Sequence, residues 1–413
     1  MVNKVLIEIN VLFENKIIGL CEMNNNKICL VTWYNSINYG TCIQCMALAK
    51  YLENYGYDIF VPSSFGFFSL KDPIDFIRRV IFKIRNKFVE FQKIKKRNVL
   101  SDCINKGYHE REARLSEVIK NELNIIEVNR NKDFLKLNDN IDVFITGSDQ
   151  IWNPNFLSAS MMLSFVRDDK KKIAYASSIG VSIIPNIYKR TYQRYLSRFN
   201  HIGVREEEAK IVLNKILNKN RIEQVLDPTL LVQNSELYIW AQKACIPAWI
   251  QEIENYILCY FVGENTQWEN IVEEYSNKSG MNVIVCMSES VKVPRNGHVF
   301  PGAGPYEFLW LIHNARCVFT DSFHASAISI NMNKDFIVYK RFKIDDKKSQ
   351  NSRINSLLNT FDLQSRLVTE KNSFNKIIEN RIKYDDVNIK LKKERFKSEE
   401  FLLNAIRKNE DDI

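Results

Sequence analysis

His324 stands in Phe319-Thr-Asp-Ser-Phe-His-Ala-Ser326, where an apolar strand pattern gives way to a helical one. A helix start presents unpaired backbone N–H groups and the positive end of the helix dipole, so it attracts anions. An imidazole there could hydrogen-bond a phosphate and exchange a proton with a ligand. Its alternative is a packed or capped core histidine, with Asp321 or Ser322 able to cap the helix. Arg205 closes the strand pattern His201-Ile-Gly-Val-Arg-Glu206. A guanidinium at a strand end can clamp a carboxylate or phosphate with two parallel hydrogen bonds, or it can pair with Glu206 or Glu207. Read as a cleft arginine rather than a core one, Arg205 is expected to be dispensable to the fold.

Two loops of small polar residues also follow strand patterns: Gly147-Ser-Asp-Gln150, continuing through Trp152 and Asn153, and Ser177-Ser-Ile-Gly180. Ser148, Asp149, Gln150, Ser178 and Gly180 could hold a ligand through hydroxyl, carboxylate and backbone groups, or could be ordinary turn chemistry. Trp152 could stack on a sugar face or anchor its loop in the core. Asn38-Tyr39-Gly40 turns the chain ahead of a helix and could face a cleft, but it lacks a Gly-x-Gly-x-x-Gly or Walker pattern. Cys42-Ile-Gln-Cys45 is a single C-x-x-C within an apolar helix pattern; with no second pair at zinc spacing it reads as packed thiols. No motif calls for a metal.

These residues need elements to hold them. Lys27–Thr32 reads as a strand, Thr41–Tyr55 as a helix and Tyr57–Val61 as a second strand. Strand, glycine turn, helix, strand is a βαβ unit and implies a parallel sheet. The rhythm resumes at Asp142–Thr146, Lys172–Ser177, His201–Arg205 and Ile222–Leu226. It restarts at Tyr256–Val262, Asn282–Met287, Arg316–Thr320 and Asp335–Tyr339, with helices between. The expected fold is therefore α/β: two Rossmann-like domains facing across a cleft, residues 1–235 and 236–413, with helices at the C-terminus. Ligands in such sheets sit at the carboxyl ends of the strands, where the candidate motifs fall.

About 70–140 interrupts the first domain as a basic helical insertion. Its helix near 74–100 has Phe76, Phe82, Phe88 and Phe91 interleaved with Arg78, Arg79, Lys83 and Lys87. Such a face suits an anionic membrane surface, or packing on the first domain with a solvated basic side. Across 413 residues, 45% apolar and 26% charged is ordinary for a globular protein. No apolar run approaches the roughly 18–20 residues of a spanning helix. A net charge of +9 without a nucleic-acid-binding motif does not call for nucleic acid. Nine cysteines with no secretory leader read as reduced cytoplasmic thiols.

Taken in order, six motifs resemble the polysaccharide pyruvyl transferase family. They are Asn-Tyr-Gly-Thr-Cys-Ile-Gln-Cys-Met-Ala-Leu (38–48), Gly-Ser-Asp-Gln-Ile-Trp-Asn (147–153), Ser-Ile-Gly (178–180), Val-Arg-Glu (204–206), Leu-Asp-Pro-Thr-Leu-Leu (226–231) and Thr-Asp-Ser-Phe-His (320–324). The likeness runs from about Lys27 to Tyr339, with a weaker trailing part from Arg353 to Leu358. It departs at Ala325, where many relatives carry glycine, and in the additional preamble 1–26.

The resemblance implies a GT-B-like fold and transfer of the pyruvyl group of phosphoenolpyruvate to a sugar as a cyclic ketal, with release of phosphate. It implies that Arg205 and His324 meet the donor together with Ser322 and Phe323, and that His324 is the acid. Asn38, Tyr39, Gly40, Ser148, Asp149, Gln150, Trp152, Asn153, Ser178, Gly180 and Asp321 are then expected to line the cleft or meet the acceptor, with Asp149 or Asp321 taking the hydroxyl proton. The expected partners are phosphoenolpyruvate and a saccharide, free or lipid-linked, in cytoplasmic assembly of a surface polysaccharide at the inner face of the plasma membrane. No further cofactor is expected. The alternatives are a GT-B glycosyltransferase with a nucleotide-sugar donor and a non-enzymatic glycan-binding scaffold at a membrane surface.

Overall fold

The computed structural model describes residues 27–36, 38–66, 102–218, 221–263, 268–287, 297–341, 351–368 and 380–407, with Pro294 and Ile377. The preamble 1–26 and the basic helix near 74–100, with its proposed membrane contact, lie outside the described residues. Among the described residues no helix is long and apolar enough to cross a membrane.

The strands are short runs without hydrophobic alternation: Val-Phe-Ile-Thr, Tyr-Ile-Leu-Cys-Tyr-Phe and Phe-Ile-Val-Tyr are buried along their whole length. That is the pattern of parallel strands covered by helices on both faces. β1 (Lys27–Val31), β2 (Asp58–Pro62), β3 (Ile125–Ile126), β4 (Val143–Thr146), β5 (Lys171–Ser177), β6 (His201–Val204) and β7 (Ile222–Gln224) form the first sheet. Its order is 3-2-1-4-5-6-7, parallel throughout. β8 (Tyr256–Phe261), β9 (Asn282–Met287), β10 (Gly297–Phe300), β11 (Cys317–Thr320), β12 (Phe336–Tyr339) and β13 (Leu367–Val368) form the second. Its order is 10-9-8-11-12-13, again parallel. The chain order reverses between β1 and β4 in one sheet and between β8 and β11 in the other. Such switch points open crevices at the strands' carboxyl ends.

Two helices start at these points, α1 (Tyr39–Glu53) after β1 and, after β11, the helix Phe323–Asn331. A single apolar core joins the domains: Ile28, Ile43 and Tyr175 belong to the same buried cluster as Leu258, Leu309 and Ala325. Part of the polar insertion is a bridge. In its helix Asp102–Glu122, Glu122 accepts from the Trp240 indole at 3.0 Å, and the Arg114 guanidinium donates to the Gly302 carbonyl at 2.9 Å. The C-terminal helix, Tyr384–Arg407, runs over both sheets and starts against the second, where the Tyr384 hydroxyl donates to the Ser329 carbonyl at 3.4 Å. It returns to the first sheet, where Phe401 fills the space that a Cβ at Gly203 would need and the Ser398 hydroxyl accepts from the Leu226 N–H at 2.9 Å. The apolar Phe401-Leu402-Leu403 face has its partner there.

Candidate active site

Three strand ends of the first sheet and one of the second converge. The Asp227 carboxylate, just past β7, is at the centre. Its Oδ1 accepts from the Thr229 N–H (3.0 Å) and hydroxyl (2.7 Å), capping the short helix Pro228–Leu231. Its Oδ2 accepts from the Ser148 hydroxyl (2.9 Å) and from Arg205 Nη1 (2.9 Å). His324 reaches the same point from the second sheet: its Nε2 lies 3.6 Å from Asp227 Oδ2 and 3.5 Å from Arg205 Nη1. Arg205 is 4% exposed and His324 3%. Arg205 is thus a buried ion-pair member rather than an open cleft arginine.

Burial by itself raises the Asp227 carboxyl. The charge and hydrogen bond of His324, then Arg205 and the Thr229 hydroxyl, outweigh this and hold it far below the usual carboxylate range. Asp149 behaves alike: burial raises it, but the charges of His324 and Arg205, the Gln150 N–H and the Thr41 hydroxyl hold it low. Glu206 goes the other way. Burial raises its carboxyl, despite Arg205 3.6 Å away and a hydrogen bond from the Ser178 hydroxyl. Burial, then the positive charges of Arg205 and Arg341, push Arg353 down to about 9. Cations therefore crowd this seam. Arg205 stacks its guanidinium 4.0 Å from the Phe323 ring centre, and its Nε and Nη2 have no hydrogen-bond partner although buried. Nε faces the Glu206 carboxylate at 3.6 Å, beyond hydrogen-bond reach, and Nη2 faces no acceptor; a buried N–H group without an acceptor is expensive, so an incoming anion has the Nη2 donor waiting.

The helix bearing His324 is capped by Ser322, whose hydroxyl accepts from the Ala325 N–H at 3.4 Å. Gly40 makes the approach of α1 possible. A Cβ there would sit 2.3 Å from His324 Cβ and Cγ. Asn38 caps α1 through the Gly40 N–H (3.2 Å) and accepts from the Tyr260 hydroxyl of the second domain (3.2 Å). Asp149, at φ 69°, gives its Oδ2 to the Thr41 hydroxyl (2.9 Å) and its Oδ1 to the Gln150 N–H (2.8 Å).

The expected site residues therefore divide. Arg205, His324, Phe323, Ser148 and Asp149 meet at the seam. Asn38, Asp149 and Gln150 line a cavity of about 550 Å³ beside it. Other residues expected in the cleft are supports. Trp152 is fully buried, its indole bonded to the Met161 carbonyl (3.0 Å) and its ring edge-on to Phe199, so it has no face for a sugar. Tyr39 is a wedge between the domains, stacked on Phe308 and covered by Arg111. Asn153 bonds to Gln150 and to the Asn155 N–H, and Gly180 leaves the space that Gln150 and Asn153 occupy. Asp321 is spent on the Val262 and Gly263 N–H groups (2.7 and 2.8 Å) and on Arg341, so it has no oxygen for a ligand proton.

Sequence reasoning passed over Asp227, Gln44 and Arg353 as site residues. Gln44 ties the β1 and β4 loops together: its Nε2 donates to the Trp33 carbonyl (2.8 Å) and its Oε1 accepts from the Ser148 N–H (3.1 Å). A glutamine within an otherwise apolar helix pattern is the available signal. The C-x-x-C pair is buried, and burial pushes the Cys42 thiol up to about 12. Among the described residues no group of three or more His, Cys, Asp or Glu side chains is placed to hold a metal.

The sequence model of the polysaccharide pyruvyl transferase family matches residues 38–341. No curated protein matches the chain. Among solved structures the chain is similar to a protein assigned as a UDP-N-acetylglucosamine 2-epimerase from Listeria monocytogenes. Identity is 11%, coverage is 92% of this chain and 95% of the other, and the TM-score is 0.54. A second UDP-N-acetylglucosamine 2-epimerase structure is 10% identical over 93% of this chain and 97% of its own, with a TM-score of 0.50. At these identities the likeness shows the fold alone, the two-domain GT-B arrangement.

Proposed function

The chain belongs to the polysaccharide pyruvyl transferase family, and from that premise we propose that it moves the pyruvyl group of phosphoenolpyruvate onto a saccharide as a cyclic ketal. The observation that carries this reading is the buried seam of Arg205, Asp227 and His324, in which a guanidinium whose Nη2 has no acceptor lies beside an imidazole.

The donor brings a phosphate and a carboxylate, and Arg205 Nη2 is the donor free to receive an anion. The first-turn amides behind Ser322 add the positive end of a helix dipole. The enol phosphate then takes a proton from His324 at its methylene carbon, leaving an oxocarbenium-like C2. Asp227 stays anionic beside Nε2 and offsets the charge of the protonated ring. One sugar hydroxyl adds to C2 and its proton returns to the imidazole of His324, now neutral. A second hydroxyl adds to C2 as the C2–O bond to phosphate breaks; its proton departs with the phosphate, and the ketal closes. Asp149, also held as a carboxylate, accepts a hydrogen bond from the attacking hydroxyl and orients it. The space beside Arg205, bounded by Asp227, Phe323 and Leu357, is only about 40 Å³, so admission of the donor requires a rearrangement of the seam.

The described cysteines are free thiols, six of them buried, which suits a reducing compartment and supports a cytoplasmic site of action. The test is incubation with phosphoenolpyruvate and a panel of nitrophenyl and lipid-linked glycosides. Phosphate release with a product heavier by about 70 Da supports pyruvyl transfer; a gain of about 162 Da with a nucleotide-sugar donor would replace it with glycosyl transfer (masses of the groups moved, independent of fold).

A further inference from the structure

We propose that the cavity walled by Trp33, Tyr34, Phe65 and Phe156 binds a neutral pyranose ring of the acceptor, which rests on the reading of the neighbouring seam as a pyruvyl transfer site. The walls come from three adjacent strand ends of the first sheet: Trp33 and Tyr34 follow β1, Phe65 follows β2, and Phe156 follows β4. This is the switch point, where the topology itself leaves a crevice. The volume, about 550 Å³, falls within the roughly 300–1,000 Å³ of small-molecule sites.

The aromatic rings are arranged as two edge-to-face pairs, Trp33 with Phe156 (6.1 Å, 76°) and Tyr34 with Phe65 (5.8 Å, 78°). Trp33, Phe65 and Phe156 are each only partly buried. In an edge-to-face pair one ring keeps its face uncovered by the other, and an aromatic face is complementary to the C–H face of a pyranose. The polar lining is amide, hydroxyl and one carboxylate: Asn35, Asn38, Thr41, Gln150 and Asp149. Among the described lining residues none is cationic. Among these described residues a nucleotide or diphosphate group would find no counter-charge, whereas hydroxyls would find donors and acceptors. Asp149 belongs both to this cavity and to the seam, because the charges of Arg205 and His324 act on its carboxylate. A ring lying on the aromatic walls would thus present its hydroxyls to Asp149, on the side where the donor carbon is expected.

The experiment is saturation-transfer NMR with methyl β-D-galactopyranoside, methyl β-D-glucopyranoside and methyl α-D-mannopyranoside, with methyl β-D-glucuronide and UDP as charged comparators. Wild type, Trp33→Ala, Trp33→Phe and Phe156→Ala are titrated after thermal melting has established that each is folded. The expected result is saturation of ring protons in at least one neutral glycoside, weakened about tenfold in Trp33→Ala and in Phe156→Ala and largely kept in Trp33→Phe. The half-saturation for phosphoenolpyruvate should not change. Neutral glycosides that bind both alanine variants as tightly as wild type, that bind none of the proteins, or that bind more weakly than UDP or the glucuronide would overturn the assignment. The two readings fail separately. Glycoside binding in a protein that never consumes phosphoenolpyruvate removes pyruvyl transfer and leaves this site standing. Phosphoenolpyruvate consumption with binding indifferent to both alanine variants removes this site alone.

Discussion

Gly40→Ala adds one methyl group at the contact between the two domains. The new Cβ would lie 2.3 Å from His324 Cβ and Cγ and 2.4 Å from Nδ1, where ordinary contact begins at 3.4 Å. About 1.1 Å of separation must therefore be found. Rotating the imidazole cannot supply it, because the shortest approach includes the His324 Cβ, which is fixed to the backbone. Either the helix start carrying His324 shifts or the domains part. Two effects on stability oppose each other. Alanine is a better helix former than glycine by about 1 kcal/mol, and overpacking a well-filled site costs about 1–3 kcal/mol. The net loss is about 0–2 kcal/mol, so melting temperature is a weak discriminator. Turnover is the strong one. A displacement of about 1 Å at a positioned catalytic group lowers rate by roughly 10²-fold, and here it falls on the ring whose Nε2 is 3.5 Å from Arg205. The assay is phosphate release at saturating phosphoenolpyruvate, with melting of the same samples. A cycle sharpens it: in a His324→Gly background the methyl has room, so Gly40→Ala should there be neutral or stabilising. Wild-type turnover and stability in the single variant would refute the claim that this contact sets the position of His324.

His324→Asn should lower turnover by roughly 10²–10⁴-fold with a modest change in donor half-saturation, because asparagine can donate a hydrogen bond but not a proton at neutral pH; a raised half-saturation with normal turnover would move the acid elsewhere. Arg205→Ala should destabilise the fold by about 3–5 kcal/mol in denaturant titration, since it strands Asp227 and Glu206 in the core without their cation. Asp227 is held below its unfolded value, so its stabilising contribution is complete above the unfolded pKa and is lost as pH falls toward the folded one. The stability gap between wild type and Asp227→Asn should therefore narrow as pH drops below about 3.9. If Arg205 and a helix start meet the leaving phosphate as proposed, activity should survive chelation; abolition reversed by one divalent ion would contradict this.

Element type and the parallel character of the sheets were largely legible in the sequence because parallel, doubly covered strands must be uninterrupted apolar runs, and Tyr256–Phe261 or Phe336–Tyr339 can hardly be anything else; the order of the strands was not, because pairing between distant runs leaves no local signal. The helices Trp268–Ser279 and Pro305–Asn314 were equally plain from their periodicity. Short elements at the margins were not. The strand Gly297–Phe300 pairs on one side only, and four residues carry too little pattern to announce it. The helix Asn351–Thr360 is rich in Asn and Ser, whose helical preference is weak. The site divides on the same physical line. Arg205 and His324 were visible because a charged or titratable residue at a strand end breaks a strong local pattern. Asp227 read as a turn residue before a proline, and local sequence carries no information about the guanidinium 2.9 Å from it. Trp152 was left between two readings, a sugar platform and a buried loop anchor, and the anchor is what packing produces: whether its face meets a ligand or Phe199 depends on a residue 47 positions away. Local spacing determines which residues sit at strand ends; only packing of one domain against the other decides which of them touch and which face water.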